Sequence, residues 1–217
     1  MMYKKILCIA AVLLLAAITT QAQRIRLNPY GTAVFTDHVE TYNSPTSYYS
    51  GKVKGGFQWG SGLEFRVHKN FGAEVLYLRQ DTKAPMEYYD TGLASTKKTE
   101  FDLALNYLLV GAVVSINPNN RIEPFAGILT GVALMRVDDP EATSTKPDHD
   151  TKFSWCIRGG VNIWVTKKTG IKLQSQVLSV SRAIGGEAYF GESANPNAST
   201  YSSIAQFGLG AGLTFKL

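Results

Sequence analysis

The sequence predicts an all-β fold, an eight-stranded antiparallel up-and-down barrel that crosses a membrane. Three observations lead to this prediction. Apolar and polar residues alternate with a period of two, short and long connections follow one another strictly, and one face of the alternating segments carries most of the large aromatic residues. Strict alternation is typical of half-buried strands rather than helices. The chain is 45% hydrophobic and 18% charged, which excludes a disordered protein.

The first 22 residues have the pattern of a secretory signal peptide. Lys4 and Lys5 precede an apolar run at residues 6–18, and the small residues Thr20 and Ala22 fit cleavage after Ala22. This run is shorter than the roughly 20 apolar residues that cross a bilayer as a helix. We therefore predict a cleaved signal peptide at 1–22 and a single transmembrane barrel domain at 23–217. Cleavage lowers the net charge from +5 to +3, which excludes a basic nucleic-acid footprint.

Eight alternating segments follow the signal peptide. In the clearest one, residues 57–68, the odd positions are apolar except for Ser61, and no even position carries a large apolar group. Three further segments alternate in the same way, at 101–109, 153–165 and 206–217. Four less regular segments complete the set, at 25–35, 71–80, 122–137 and 171–181. Each is long enough for one strand of a barrel.

The connections between these segments alternate in length. Three are short, at residues 68–70, 117–121 and 166–170. Four are long and polar, at residues 37–54, 81–98, 138–152 and 182–203. Bacterial outer-membrane barrels have this order, with short periplasmic turns and long extracellular loops. We therefore predict four long extracellular loops and three short periplasmic turns.

The aromatic face is predicted to contact lipid, because a water-soluble barrel would instead place its apolar residues inside. With both termini in the periplasm, the aromatic residues form two girdles of the kind found at membrane interfaces. The girdle near the loops comprises Phe57, Trp59, Phe101, Phe153, Trp155 and Phe207. The girdle near the turns comprises Phe65, Phe71, Phe125 and Phe215.

Five charged residues are predicted to point into the barrel: Glu64, Arg66, Glu74, Asp102 and Arg158. The lumen of an eight-stranded barrel is only wide enough to be filled by side chains. A buried charge without a partner is strongly unfavourable, so we expect a structural network of ion pairs. The other interpretation of the same residues is a gated ion path.

Three stretches of this sequence resemble a known family: GAEVLYLRQ at residues 72–80, IEPFAGILTGVAL at 122–134 and the terminal FGLGAGLTFKL. With the signal peptide, they are similar to OmpA/OmpX-type outer-membrane β-barrels, and most of all to the outer membrane protein beta-barrel domain proteins of Bacteroidetes. The resemblance implies an integral protein of the outer membrane whose last strand is recognised by the outer-membrane assembly machinery. That strand usually ends in an aromatic residue, whereas here Phe215 lies two residues before Leu217.

The sequence carries little catalytic chemistry. His149 lies between two aspartates, which is more typical of a solvated loop than of a metal site. His38 with Glu40 is the pair nearest the arrangement that an outer-membrane lipid A hydrolase would need, but the His-x-Ser pattern of those enzymes is missing. We predict no catalytic, cofactor or metal residues, and no cofactor.

The long loops are the expected place for specific function. They expose tyrosines among Ser, Thr and Pro, and such residues make good contact surfaces: Tyr42, Tyr48, Tyr49, Tyr88 and Tyr89. The leading hypothesis is a non-enzymatic membrane-anchored scaffold for envelope organisation, adhesion or partner binding. Expected partners are outer-membrane lipid, lipopolysaccharide, and an extracellular protein or glycan, but not nucleic acid. The alternatives are a small porin-like channel and a lipid A hydrolase.

Overall fold

The computed structural model of the protein describes residues 25–44, 47–90, 95–118, 120–138, 148–181 and 204–217. The predicted signal peptide lies outside these residues. The described chain contains ten strands: β1 Ile25–Val34, β2 Asp37–Ser44, β3 Ser47–Val53, β4 Gly56–Arg66, β5 Phe71–Asp90, β6 Ser95–Ser115, β7 Ile122–Asp138, β8 Asp148–Trp164, β9 Thr169–Ser181 and β10 Ile204–Lys216. No helix within these ranges is long and apolar enough to span a membrane.

Eight of the strands close into an antiparallel barrel, as the sequence predicts. Its cyclic order is β1, β4, β5, β6, β7, β8, β9, β10. The first and last strands complete the ring, with Leu27 opposite Phe215 and Gly31 opposite Ala211. The Leu217 N–H donates to the Ile25 carbonyl oxygen at 2.9 Å, so the pairing extends to the ends of both strands. Closure removes the unpaired edges that an open sheet would expose.

Three short connections join the strands at one end of the barrel, which we call the turn end. They lie at residues 67–70, 116–121 and 165–168, close to the predicted positions. Asn117 has a φ of 51°, in the left-handed region that asparagine adopts more readily than most residues. Its carbonyl oxygen accepts the Asn120 N–H at 3.0 Å, which tightens this turn. The opposite end of the barrel is the loop end.

The first predicted loop, residues 37–54, is a β-hairpin rather than an irregular loop. Its strands β2 and β3 continue β1 and β4 beyond the barrel, and β3 also pairs with β5. Gly55 makes this continuation possible, because a Cβ there would collide with the Val34 carbonyl oxygen. Strands that extend beyond the barrel do not contact lipid and need no continuous apolar face, so the hairpin sequence has no regular apolar alternation. The sequence pattern therefore did not predict its two strands.

The second predicted loop, residues 81–98, is also mostly strand. β5 and β6 pair without interruption from Phe71 opposite Val114 to Asp90 opposite Ser95. They contain 20 and 21 residues, whereas a tilted strand needs only about 9–11 to cross a bilayer. We call the four extensions beyond the barrel, β2, β3, residues 81–90 of β5 and residues 95–101 of β6, the raised sheet.

The outward face of the barrel is apolar, and its inward face is largely polar near the turn end. Phe57 and Trp59 are 65% and 49% exposed, whereas Glu64 and Arg158 on the inward face are 1% and 2% exposed. The exposed outward residues form an apolar belt that includes Val75, Tyr77, Leu108, Val110, Ile128, Val132, Ile157, Leu173, Val177 and Leu209. Water would disfavour such a belt, so its surroundings must be apolar.

The prediction that Asp102 points into the barrel is wrong. Strand β6 has the reverse orientation, with Leu103, Leu105 and Tyr107 buried inside and Asp102 exposed outside. Over residues 101–109 the odd positions are the more apolar, so the alternation favoured the wrong face, because the interior of the barrel is itself apolar at this height. The pairing with β5 decides the facing, since Asp102 lies opposite Lys83 on the outer surface.

Two of the predicted lipid-facing aromatic residues are also misplaced. Phe125 is only 4% exposed and lies inside, where its ring contacts two cations. Phe101 shares the inward face of β6 with Leu103. The other predicted girdle residues are on the outward face: Phe57, Trp59, Phe65, Phe71, Phe153, Trp155, Phe207 and Phe215. Strand alternation places Phe125 on the same inward face as Glu123, where its ring contacts Arg158 and Lys172.

Candidate functional site

The interior of the barrel is organised in three layers. Nearest the turn end is an ionic cluster of Arg26, Glu64, Arg66, Glu74, Glu123, Arg158 and Lys172, all of which are buried. An amide layer of Gln58, Gln80, Gln174 and Gln176 follows. The loop-end half contains an apolar cluster of Leu76, Leu78, Leu103, Leu105, Tyr107, Leu109, Leu129, Ala133, Met135, Cys156, Leu178 and Val180, which also contacts Tyr30 and Val53.

Glu123 is the centre of the ionic cluster. Both guanidinium ends of Arg26 donate to its carboxylate, Nη1 to Oε1 at 2.6 Å and Nη2 to Oε2 at 3.2 Å. The Trp164 Nε1–H donates to Oε2 at 2.9 Å. This fork geometry is the strongest ordinary form of an Arg–carboxylate pair, and here it joins β1, β7 and β8 across the lumen.

Two further pairs extend the cluster. Arg66 donates from Nη1 to Glu64 Oε1 at 3.0 Å and to Ser115 Oγ at 2.7 Å. Arg158 forms a contact ion pair with Glu74. Glu74 occupies space that a side chain at position 62 would need, since a Cβ on Gly62 would collide with its carboxylate. A glycine therefore makes room for the ion pair.

Lys172 is the one basic residue of the cluster that forms no ion pair with a carboxylate of the described residues. Its Nζ lies 3.6 Å from the Phe125 ring centroid and 3.4 Å from Asn162 Oδ1. The cluster therefore contains four basic and three acidic residues, and the Lys172 amino group contacts an aromatic face and an amide oxygen.

Sequence reasoning found four members of the ionic cluster and missed three. Glu64, Arg66, Glu74 and Arg158 were expected inside, and the structure brings them together. Arg26, Glu123 and Lys172 were not identified; all three lie in the less regular segments, where Glu74 was the one charge that the sequence analysis assigned to the interior. One signal was available, since residues 170–177 of β9 alternate G-I-K-L-Q-S-Q-V and place Lys172 on the polar face. In β7, apolar residues on both faces obscured the alternation that would have placed Glu123 on the inward face.

The glutamines of the amide layer form a hydrogen-bonded chain across the lumen, in which each amide nitrogen donates to the next amide oxygen. Gln176 Nε2 donates to Gln58 Oε1 at 2.7 Å, which links β9 to β4. Longer contacts extend the chain at both ends, from Gln174 to Gln176 at 3.5 Å and from Gln58 to Gln80 at 3.4 Å. The lumen is therefore bridged at mid-height as well as at the turn end.

The outer surface changes from apolar to charged where the raised sheet begins. On β5, Val75 and Tyr77 are followed on the same face by Arg79, Asp81 and Lys83. These charges form a ladder of ion pairs: Arg79–Asp81 at 2.9 Å, Lys83–Glu100 at 2.8 Å, Lys54–Glu100 at 2.7 Å and Lys83–Asp102 at 3.8 Å. The boundary of the apolar belt is therefore sharp on this side.

The ladder has a predictable response to acid. Hydrogen bonds from Lys54 and Lys83 lower the pKa of Glu100 from 4.5 to about 2. Because the folded pKa lies below the unfolded one, the stabilisation is complete above about pH 4.5 and is lost as the pH falls through about 2. We expect a carboxyl NMR titration of Glu100 to have its midpoint near pH 2. A midpoint near 4.5 would show that Lys54 and Lys83 do not lower the pKa of Glu100.

The five predicted contact tyrosines all lie on the raised sheet. Tyr42 is opposite Tyr48 in the hairpin, and Tyr49 is opposite Tyr88 where β3 meets β5. Tyr89 is opposite Thr96 on β6. The fold thus gathers residues from two separate sequence regions on one small sheet.

The three histidines lie on different elements of the fold. His38 lies opposite Lys52 in the hairpin, and Glu40 lies opposite Ser50. His149 lies opposite Arg136, and His68 is in the first turn. In the part of the chain that the structure describes, no group of three or more His, Cys, Asp or Glu residues could hold a metal ion.

A closed eight-stranded barrel with an apolar exterior and an ionic interior defines an integral β-barrel membrane protein of the outer-membrane class. The comparisons give the family. The model of the outer membrane protein beta-barrel domain matches residues 8–215, and the chain belongs to this family. No curated protein matches the sequence.

Several solved outer-membrane proteins share the fold. Neisserial surface protein A has a TM-score of 0.55 at 14% identity, covering 89% of this chain and 97% of that one. OprG from Pseudomonas aeruginosa has a TM-score of 0.57 at 10% identity, covering 91% and 97%. The protease OmpT from Escherichia coli has a TM-score of 0.52 at 8% identity, covering 92% and 100%. At these identities the likeness extends to the fold alone. The family and the fold together place the protein in the outer membrane.

Proposed function

We propose that this protein is a non-enzymatic scaffold whose barrel anchors the raised sheet above the outer membrane for adhesion, envelope organisation or partner binding. One observation carries the proposal: β5 and β6 contain about twice the residues that a membrane crossing needs, and a hairpin extends the same wall. Strand pairing that continues beyond the membrane creates a rigid surface, and rigid scaffolds with variable tips are typical of binding proteins.

The proposed orientation puts the turn end in the periplasm and the raised sheet outside the cell. Short turns on one side and long connections on the other support this orientation. The predicted signal peptide at 1–22 and the Bacteroidetes-type origin belong to the same proposal. Sequencing the amino terminus of the mature protein tests the first of these, and we expect it to begin at Gln23.

The partner is expected to be an extracellular protein or glycan. Supporting this, the raised sheet brings tyrosines from residues 42–49 and residues 88–89 onto neighbouring strands. Tyrosine combines a large apolar ring with a hydroxyl group and is enriched at binding surfaces. Contacts with lipopolysaccharide at the ion-pair ladder are part of the same proposal, because that ladder lies directly above the apolar belt.

Replacing residues 38–52 with a two-residue Asn-Gly turn tests the proposal. Asp37 and Val53 are kept because the Asp37 Oδ2 accepts the Ala205 N–H at 2.8 Å and Val53 belongs to the apolar cluster. We expect the barrel to fold, as judged by gel migration with and without boiling. Binding of expressing cells to extracellular proteins or glycan arrays should fall at least about tenfold, equivalent to roughly 1.4 kcal/mol.

A suitable control replaces residues 91–94 with the same turn, because that change leaves the β2–β3 hairpin intact. Binding that survives the hairpin replacement, or that falls equally in both variants, would contradict a role for the hairpin surface.

A small channel is the second candidate, and one observation favours it. Amide atoms of Asn28, Gln80, Gln174 and Gln206 are buried without a protein hydrogen-bond partner among the described residues. Buried amides of this kind are normally hydrated. Water bound to these amides would be the start of a polar path through the lumen.

We nevertheless expect the wild-type protein to show no stable conductance steps in planar bilayers. The ionic cluster and the amide layer each bridge the lumen, and opening them would leave several charges buried without partners. The matched measurement uses the same preparation of an Arg158→Ala/Glu74→Ala variant, which removes the ion pair that joins β8 to β5 across the lumen. A steady ohmic conductance in the wild-type protein would favour the channel over the scaffold.

A further inference from the structure

The turn end of the barrel has a surface of one charge sign. We define the turn rim as residues 67–70, 116–118, 120–121, 165–168 and 216–217. Its charged side chains are Lys69, Arg121, Lys167, Lys168 and Lys216, and it also contains His68. None of these described residues is an aspartate or a glutamate. The rim therefore carries at least five positive side-chain charges within a ring about as wide as the barrel.

The charged surface at the other side of the apolar belt is different. There the ladder contains three cations, Lys54, Arg79 and Lys83, together with three acids, and every member forms an ion pair. A charge asymmetry of this kind does not follow from the requirements of a barrel, since both ends face water. It indicates that the two ends contact different chemical groups.

The turn rim combines its cations with exposed aliphatic residues. Val67, Ile116, Val165 and Leu217 are 68%, 57%, 65% and 72% exposed. Each is at the end of a strand and lies within five residues of a lysine or arginine in the sequence. Aliphatic side chains beside cations are typical of the boundary between acyl chains and phosphate headgroups. A surface that bound only soluble anions would not need the aliphatic residues.

Three of the cations line one open recess of about 460 Å³, with Trp164 among its other lining residues. Arg121 comes from the β6–β7 turn, Lys167 from the β8–β9 turn and Lys216 from the end of β10. Two backbone hydrogen bonds tie these elements together, from Trp164 N–H to Arg121 O and from Lys216 N–H to Lys168 O, both at 2.7 Å.

No acidic side chain lines this recess. The nearest carboxylate along β7 is Glu123, and both of its oxygens already accept hydrogen bonds inside the barrel, from Arg26 and Trp164. The Lys216 Nζ lies 3.8 Å from the Trp164 ring centroid, which holds it at the edge of the recess. The recess is therefore a preformed positive site at the turn end.

We propose that the turn rim binds the phosphate groups of anionic phospholipids in the leaflet at the turn end, and that the recess is its strongest site. The cations contact the phosphates, while the neighbouring aliphatic residues insert at the level of the first acyl carbons. Binding of this kind fixes the depth of the barrel in the bilayer. It requires that the turn end meets a phospholipid surface, but it does not depend on the function of the raised sheet.

Native mass spectrometry of the folded full chain tests this proposal. The protein is released from micelles containing phosphatidylglycerol or phosphatidylcholine with identical acyl chains. We expect retention of phosphatidylglycerol to exceed that of phosphatidylcholine by about 10- to 100-fold, since each basic residue near an anionic surface contributes on the order of tenfold or slightly less. The triple variant Arg121→Gln/Lys167→Gln/Lys216→Gln should lose this preference.

The matched control is Lys54→Gln/Arg79→Gln/Lys83→Gln, which removes three cations above the belt and should keep the preference. Gel migration without boiling checks that each variant is folded, and Lys167→Gln alone replaces the triple variant if that variant fails. Equal retention of the two lipids, or equal loss in variant and control, would overturn the proposal. Displacement of phosphatidylglycerol by millimolar inorganic phosphate, but not by chloride at the same ionic strength, would show a free-phosphate site instead. The hairpin replacement has no bearing on these outcomes.

Discussion

The Glu123→Gln variant is expected to lower the free energy of unfolding by about 3–5 kcal/mol. The substitution keeps the shape of the side chain but removes the charge that Arg26 contacts at 2.6 Å. Arg26 would then be buried without its closest counter-ion, in a cluster whose basic residues outnumber its acidic ones. Urea unfolding in detergent or lipid, followed by tryptophan fluorescence, measures the change.

Two comparisons make this result specific. The exposed variant Asp81→Asn should leave the unfolding midpoint near that of the wild type at neutral pH, because solvent screens its ion pair with Arg79. The double variant Arg26→Met/Glu123→Leu should recover much of the lost stability, since it removes both charges of the pair together. If Glu123→Gln and Asp81→Asn have equally small effects, the interior is hydrated enough to screen charge, and the closed-lumen interpretation fails.

The Ile128→Arg variant should be destabilised by about 2–4 kcal/mol in a lipid bilayer. Ile128 is 61% exposed and lies midway along the outward face of β7, between Ile122 and Leu134. In water an arginine at so exposed a position would be almost neutral, so this substitution distinguishes a lipid environment from an aqueous one. Reversible unfolding from liposomes measures the effect.

Val67→Arg provides the depth control for this experiment. Val67 is 68% exposed but lies in a turn next to Lys69, at the edge of the apolar belt. Charged residues near the interface cost only about 0–1 kcal/mol, so a small change is expected there. Equal effects at both positions would mean that the apolar belt is not in contact with the hydrocarbon core.

The eight barrel strands, their order and their general polarity could be predicted from the sequence because each depends on local pattern. The alternation at residues 57–68 reports one apolar and one polar face directly, and the structure places Glu64 and Arg66 inside. The three short turns were also readable, since short polar connections between alternating segments have few alternatives. In β6, by contrast, the alternation predicted the wrong facing for Asp102, because Leu103, Leu105 and Tyr107 belong to the apolar cluster inside the barrel.

The raised sheet and the composition of the ionic cluster depend on contacts between distant residues. Residues 37–53 pair as a hairpin although they lack a hydrophobic period, because backbone hydrogen bonds to a neighbouring strand extend a sheet without help from side-chain polarity. Arg26 and Glu123 are 97 residues apart in the chain, and neither segment has a pattern that predicts the contact.

The sequence by itself determined an all-β chain with a membrane-compatible pattern, because apolar periodicity is a property of neighbouring residues. Only the tertiary structure decided which charges pair, which aromatic residues turn inward and how far the strands continue beyond the bilayer. Those outcomes depend on strand register around a closed ring, where one position of shift moves every side chain to the opposite face.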